Sequence, residues 1–262
     1  MINMKQINTL IFLILAVFLF SCVKNRQNQY VVKYDTGITG QARLKFNINS
    51  AKINNPTMLI KIDNVVVSNL LTARTPFPGG GYNTGGSNYA DFLGVAPGSR
   101  EINIAIPKAR TSTDSILIYK GNLNLESAKY YTLHVTDTAD KVKTLLVEEN
   151  VDNSFVPKPG FRFINLMPNV PSVDLYYGPF KIASGINFLN ITPEFTLDSI
   201  NTAFAWTVRE ANATANLATY TSASTVLNNT KYTIFATGYK GIPGTTDVRR
   251  PFVSFFMVSK QP

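Results

Sequence analysis

The side chains able to do chemistry in this chain are few. It has one histidine, His134, and one cysteine, Cys22, in 262 residues. Nucleophilic catalysis needs a nucleophile, a base and an acid that orients the base. No Gly-x-Ser-x-Gly turn supplies such a nucleophile. In "YTLHVT" (Tyr131–Thr136) strict alternation sets His134 beside Thr132 and Thr136, opposite Leu133, which predicts a partly exposed strand histidine. One His and one Cys cannot make a metal cluster. The glycine-rich stretch "PGGGYNTGGS" (Pro78–Ser87) has Gly80 and Gly85 at phosphate-loop spacing, but Gly86 stands where the lysine is required, and no helix pattern follows. Glu148 and Glu149 are neighbours on a strand and so face opposite ways, while Asp63 and Asp174 lie near turns that Asx hydrogen bonds would cap. The sequence therefore predicts no catalytic site, no metal and no cofactor. Aromatics are the remaining functional material. Tyr82 in the glycine-rich loop, and Tyr176, Tyr177 and Trp206 in the second half, are the candidate ligand contacts. Alternation places about half of any strand's residues in a core, so only the outward members qualify. Ser115, Thr138 and Ser199 each follow an aspartate and precede Ile or Ala, resembling a short bacterial O-glycosylation acceptor that must be exposed to be used.

Cys22 has a different explanation. Met1–Thr9 is polar and carries Lys5, Leu10–Phe20 is uninterrupted apolar sequence, and Ser21 is small. This is the plan of a secretory signal peptide. The apolar run is too short for a bilayer core, which takes about twenty residues. Leu19-Phe20-Ser21-Cys22 resembles the bacterial lipobox, in which the cysteine becomes the acylated first residue of the mature protein. Two or three acyl chains anchor stably where one does not. The expectation is an exported protein, lipid-anchored at Cys22, with the outer membrane as its place and the face left open.

Composition agrees with this. The formal charge of +9 and pI near 9.5 raise the question of nucleic acid, but Lys and Arg are scattered rather than gathered in a stripe, and no nucleic-acid motif is present. Lys24, Arg26 and Lys33 follow the anchor directly, where anionic headgroups would meet them. Without a disulfide the folded part must stabilise itself by burying apolar surface. The predicted organisation is a signal peptide over 1–21, a tether over 22–40, and two domains over 41–150 and 151–262, joined in "ENVDNSFVPKPG" (Glu149–Gly160).

Those domains read as β-structure. Short runs rich in Val, Ile, Phe, Tyr and Thr alternate with period two between Gly, Asn and Pro, as in "RLKFNIN" (Arg43–Asn49), "EINIAIP" (Glu101–Pro107) and "FVSFFMV" (Phe252–Val258). The pattern repeats. Tyr131-Thr132-Leu133 lines up with Tyr232-Thr233-Ile234, and Phe46 with Phe163. Tyr131, Leu133 and Val135 are expected to share one face, and so are Tyr232, Ile234 and Ala236.

The segment "FRFINLMPNVPSVDLYYGPFKIASGINF" (Phe161–Phe188), with "LNNTKYTIFATGY" (Leu227–Tyr239), resembles domain-of-unknown-function family 4397. Asn165, Pro168, Pro171, Val173, Asp174, Tyr176, Ala183, Gly185, Phe188, Tyr232, Thr233 and Gly238 carry the resemblance. The first copy is the more divergent, with Lys61-Ile62-Asp63 in the Asp-Leu-Tyr register. The resemblance implies immunoglobulin-like sandwiches of the kind common among Bacteroidota lipoproteins, and it brings no catalytic residues. The expected fold is all-β, with two tandem immunoglobulin-like β-sandwiches. The expected role is noncatalytic, binding or structural, at the cell envelope. A glycan-binding module and a fimbrial or adhesive subunit are the alternatives, so the partners in view are a membrane, through the anchor, and an envelope glycan or protein.

Overall fold

The computed structural model describes residues 40–79, 91–138, 141–151, 158–197, 201, 203–221, 229–243 and 246–260. The all-β expectation holds: strands, and no α-helix, make up the regular structure among the described residues. The first eight are β1 (Ala42–Ile48), β2 (Leu59–Ile62), β3 (Val65–Val66), β4 (Leu93–Val95), β5 (Gly98–Pro107), β6 (Asp114–Leu125), β7 (Tyr130–Thr136) and β8 (Lys143–Glu149). The second eight are β9 (Gly160–Leu166), β10 (Ser172–Tyr177), β11 (Phe180–Asn187), β12 (Phe195–Thr196), β13 (Trp206–Glu210), β14 (Asn216–Tyr220), β15 (Thr230–Thr237) and β16 (Phe252–Lys260).

The two sets repeat one topology. Sheets β4-β1-β7-β8 and β3-β2-β5-β6 form the first sandwich; β12-β9-β15-β16 and β11-β10-β13-β14 form the second. In each, the first strand runs parallel to the seventh, with Leu44 beside Tyr131 and Phe46 beside Leu133, then Phe161 beside Tyr232 and Phe163 beside Ile234. That register makes Phe46 the counterpart of Phe163. Alternation decides which side chains enter each core. Leu44, Phe46, Ile48, Tyr131, Leu133 and Val135 enter the first, and Phe161, Phe163, Tyr232, Ile234 and Ala236 enter the second. Two-residue turns close the second hairpin edge in both copies. Asp63 and Asn64 both have positive φ, as a type I′ turn requires, and Gly178 has positive φ at the matching place.

The outward faces of two equivalent sheets are not exposed. The outer side of β1, β7 and β8 is covered by the outer side of β9, β15 and β16. Val147 on β8 packs in one cluster with Ile164, Leu166, Phe235, Phe256 and Val258. Thr136 Oγ1 donates to the Leu166 carbonyl at 2.7 Å. Arg162 pairs with the buried Glu149 carboxylate. Lys45, 1 % exposed, lies with its ammonium 5.3 Å from the Phe92 ring and 5.8 Å from Phe256. Burial lowers its pKa to about 8, against a smaller raising effect from Asp91.

This docking corrects the reading of His134. The side chain does point away from Leu133, but it is fully buried, 6.0 Å from the Phe256 ring. Period-two alternation distinguishes two faces of a strand without saying what covers the outer one. Asn47 Oδ1 accepts from Asn49, which leaves Asn47 Nδ2 to donate to His134 Nδ1 at 2.9 Å. A protonated ring would lose that acceptor. Desolvation first, and the nearby Arg162 charge second, push its pKa down to about 3.

Two outcomes follow from the docked sheets. Phe256→Asp places a carboxylate against Phe235 and Ile164, and is expected to split thermal unfolding from one transition into two, read by calorimetry. In the acid range, the unfolded chain binds the His134 proton below its ordinary pKa of 6.5, while the folded chain binds it only near 3. Stability contributed by neutral His134 is thus full above pH 6.5 and declines as pH falls toward 3, at up to ~1.4 kcal/mol per pH unit. Urea titrations from pH 7 to 4 are expected to show this slope flattened in His134→Phe, the residue type of its counterpart Phe235.

Candidate functional site

The residues singled out in the sequence separate into three groups. Cys22, Tyr82 and Ser199 lie outside the described residues. Tyr177 and Trp206, 2 % and 1 % exposed, are buried in the second core with ring centroids 4.5 Å apart, so neither offers a face to a ligand. Their strand positions alternate inward, and Tyr177 Oη donates to the Asn201 carbonyl at 3.0 Å. Tyr176 alone of these points outward, on the free face of β11-β10-β13-β14. Lys181 lies beside it in register on β11, with its ammonium 5.5 Å from the ring centroid, and Arg209 on β13 approaches to 4.3 Å. The two cations flank the ring from strands on opposite sides, making a Lys-Tyr-Arg row rather than an open stacking platform. Ser115 is exposed on β6; Thr138 is half-buried, with its hydroxyl 3.3 Å from Tyr239 Oη.

Several residues that carry the resemblance read from the sequence have visible work. Asn165 closes β9: its Oδ1 accepts from Met167 N at 3.0 Å, and its Nδ2 donates to the Ile186 carbonyl at 3.0 Å. Asp174 is fully buried yet well supplied with donors. It accepts from Lys181 Nζ at 2.7 Å, Gly185 N at 2.8 Å, Ser184 Oγ at 3.2 Å and Asn212 N at 3.4 Å. Burial pushes its carboxyl up, but these donors together outweigh it and hold the pKa below the ordinary value. The Asp174 cage joins β10, β11 and the turn after β13. Asp63, by contrast, is an exposed turn residue that accepts from Glu101 N at 3.0 Å and Arg100 at 2.9 Å.

Sequence reasoning missed a sizeable opening in the second sandwich. The connection from β15 to β16 takes fourteen residues, where its counterpart from β7 to β8 takes six. The longer loop walls a pocket of about 490 Å³ against the start of β16 and the free edge of β14. Four consecutive residues, Asn216–Thr219, line it, together with Lys240, Ile242, Arg250 and Phe252. Consecutive strand residues point to alternate faces, so all four line one opening only if that opening sees the strand's edge. The difference in loop length between the copies was the available signal.

This loop is held at many points. Asn169 and Lys240 exchange two hydrogen bonds at 2.9 Å. Tyr239 N donates to the Arg249 carbonyl at 2.8 Å. Arg249 holds Asp247 through two side-chain bonds, at 2.7 and 3.1 Å, and depresses its pKa to about 2. The first sandwich contributes as well. Val248 packs against its core, Arg74 donates to the Arg250 carbonyl at 2.5 Å while stacking on Phe252, and Asp137 accepts from Tyr239 Oη. Burial first, and then the Asp137 contact, push that phenol up to about 12, so it stays a donor across ordinary pH.

Fold and site together define a tandem β-sandwich protein with an edge pocket, in which one sandwich braces the site of the other. Residues 82–176 match the model of the family described as Domain of unknown function (DUF4397). The family resemblance read from the sequence therefore stands, with a shift in its place. The matched span runs through β4–β8 and on into β9 and β10, rather than over the second copy. No curated protein matches the chain.

Gly238 begins the loop at φ +90°, and an added Cβ there would run into the backbone carbonyls of Arg249 and Arg250. Gly238→Ala is expected to cost about 1–3 kcal/mol and to release the loop, seen as faster tryptic cleavage at Arg249 and Arg250 with the β-sheet circular dichroism retained.

Proposed function

We propose that this is an exported lipoprotein of the outer membrane, held by acyl chains on Cys22, whose two-sandwich body has a noncatalytic binding role. The observation that carries the reading is the order of segments: an apolar run ending in Leu19-Phe20-Ser21-Cys22, a polar stretch rich in Asn and Gln, and then β1 beginning at Ala42. From Cys22 to Gly40 a fully extended chain reaches at most about 60 Å, enough to carry a folded body clear of the headgroups. Lys24, Arg26 and Lys33 favour contact with an anionic surface near the anchor. The docked sandwiches support the binding role, because a stiff body presents its pocket at one orientation. The adhesive alternative gains from the open edge of β14, whereas sugar stacking loses Tyr177 and Trp206 to the core.

Metabolic labelling with an alkyne fatty acid tests the anchor. Label is expected on the wild-type protein and absent from Cys22→Ala, which is also expected to keep its leader and leave the membrane fraction. An unlabelled wild type, or label that persists in the variant, would remove the assignment.

A further inference from the structure

The loop pocket differs from a small-molecule cavity in one respect: four consecutive strand residues line it, so it meets a strand edge. Asn216, Leu217, Ala218 and Thr219 all line it, and among the described residues β14 pairs with β13 alone. A strand edge offers a row of N–H and C=O groups, which an extended peptide satisfies by adding one more strand. The charged groups at this opening are mainly basic. Lys240 and Arg250 line it, and Arg209 adjoins it through its 2.8 Å bond from Nε to Asn216 Oδ1. Glu210 pairs with Lys240 and offsets part of that charge, while the Arg250 side chain contributes a guanidinium fork suited to carboxylate.

Apolar contact comes from Leu217, Ile242 and Phe252. The bracing by Asn169, Asp137 and Arg74 keeps the wall in place before anything binds, which reduces the ordering cost of association.

We propose that the free edge of β14 in this pocket receives an extended acidic peptide from another protein, paired as an added strand with its carboxylates at Arg250 and Lys240. The chain's own polar stretch does not suit the site: Val23–Gly40 has Lys24, Arg26 and Lys33 against a single acid, Asp35. The inference rests on the noncatalytic binding role proposed above and names the partner of that role. It is independent of the anchor, so acyl labelling and peptide binding fail separately.

The probe is a fluorescein-labelled nonapeptide alternating Glu with Val and Thr, titrated by anisotropy against the full mature protein. The expected result is binding that is at least about tenfold weaker for the same peptide with Lys in place of Glu. Binding is expected to be lost when alternate peptide nitrogens are methylated, and about fivefold weaker in Arg250→Ala. Lys108→Ala, on an exposed turn of the first sandwich, is the control for bulk charge and is expected to change nothing. Amide hydrogen exchange is expected to slow at 216–219 when the peptide is bound. Equal binding of the acidic and basic peptides, or binding that survives N-methylation, overturns the proposal. So does protection elsewhere than 216–219, or unchanged affinity in an Arg250→Ala protein whose melting is normal. Displacement by alginate or by phosphatidylglycerol vesicles as effective as by unlabelled peptide would assign the site to polyanions in general and also overturn it.

Discussion

The organisation of this molecule depends on one burial: the outer face of β1, β7 and β8 against the outer face of β9, β15 and β16. Both faces mix polar with apolar groups. The first sandwich brings Lys45, Asn47, Thr132, His134 and Glu149 beside Val147, and the second brings Arg162, Thr233 and Ser254 among Ile164, Leu166, Phe235, Phe256 and Val258. Burying polar groups against apolar ones is unfavourable unless each finds a partner or loses its charge. Thr136 finds the Leu166 carbonyl, Glu149 finds Arg162, and His134 stays neutral with Asn47 as donor. A buried ion pair adds little net stability, but separating its members leaves a charge stranded in a low dielectric. Glu149 and Arg162 therefore act against misdocked arrangements more than in favour of the correct one. Lys45 and Arg162 occupy the same place in the two copies, next to Leu44 and Phe161 respectively. Arg162 pairs with the Glu149 carboxylate, whereas Lys45 lies against two rings and feels the Asp91 charge.

The burial has a consequence outside the interface. Because the first sandwich is docked where it is, Arg74, Asp137 and Thr138 stand beside the long β15–β16 loop. Without them, a fourteen-residue connection would be held mainly by Asn169 and by its own Asp247–Arg249 pair. A loop fixed from two sides has less conformational freedom to lose on binding. The pocket belongs to the second sandwich by its lining and to both by its support. That division of work gives a physical reason for two copies of one fold to be joined in one body.

Much of the strand architecture was legible in the sequence, because alternation and turn chemistry are local. The matches of Phe46 with Phe163, and of Tyr131 with Tyr232, reappear as equivalent positions in the two parallel registers. The buried state of His134 was not legible from "YTLHVT", since the polar members of that strand read as a solvent face. The signal lay on the partner strands. "FRFINL" on β9 and "FVSFFMV" on β16 put apolar residues on both faces, which marks a strand covered twice. The pocket was harder to foresee. It arises from a difference in loop length between the copies, from which strand edge is left unpaired, and from contacts more than a hundred residues apart, such as Arg74 with Arg250. None of these is a local property of the residues that line it.

With one sheet of each sandwich used in docking, the two remaining sheets carry the free faces, and they differ in rigidity. On β2, Lys61 reaches Asp114 at 2.7 Å, a contact between two side chains. On β10, Asp174 collects two side-chain and two backbone donors, from β11 and from the turn after β13. Removing Lys61 would loosen one pair. Asp174 closes the β10–β11 hairpin and the turn between β13 and β14 at once, and β14 is the strand whose edge lines the pocket. A ligand that adds to a strand edge needs that strand to keep its twist and register. Asp174 therefore connects to the β14 edge by holding the sheet behind it, and in the proposed complex contact with the peptide is left to Arg250 and the β14 backbone.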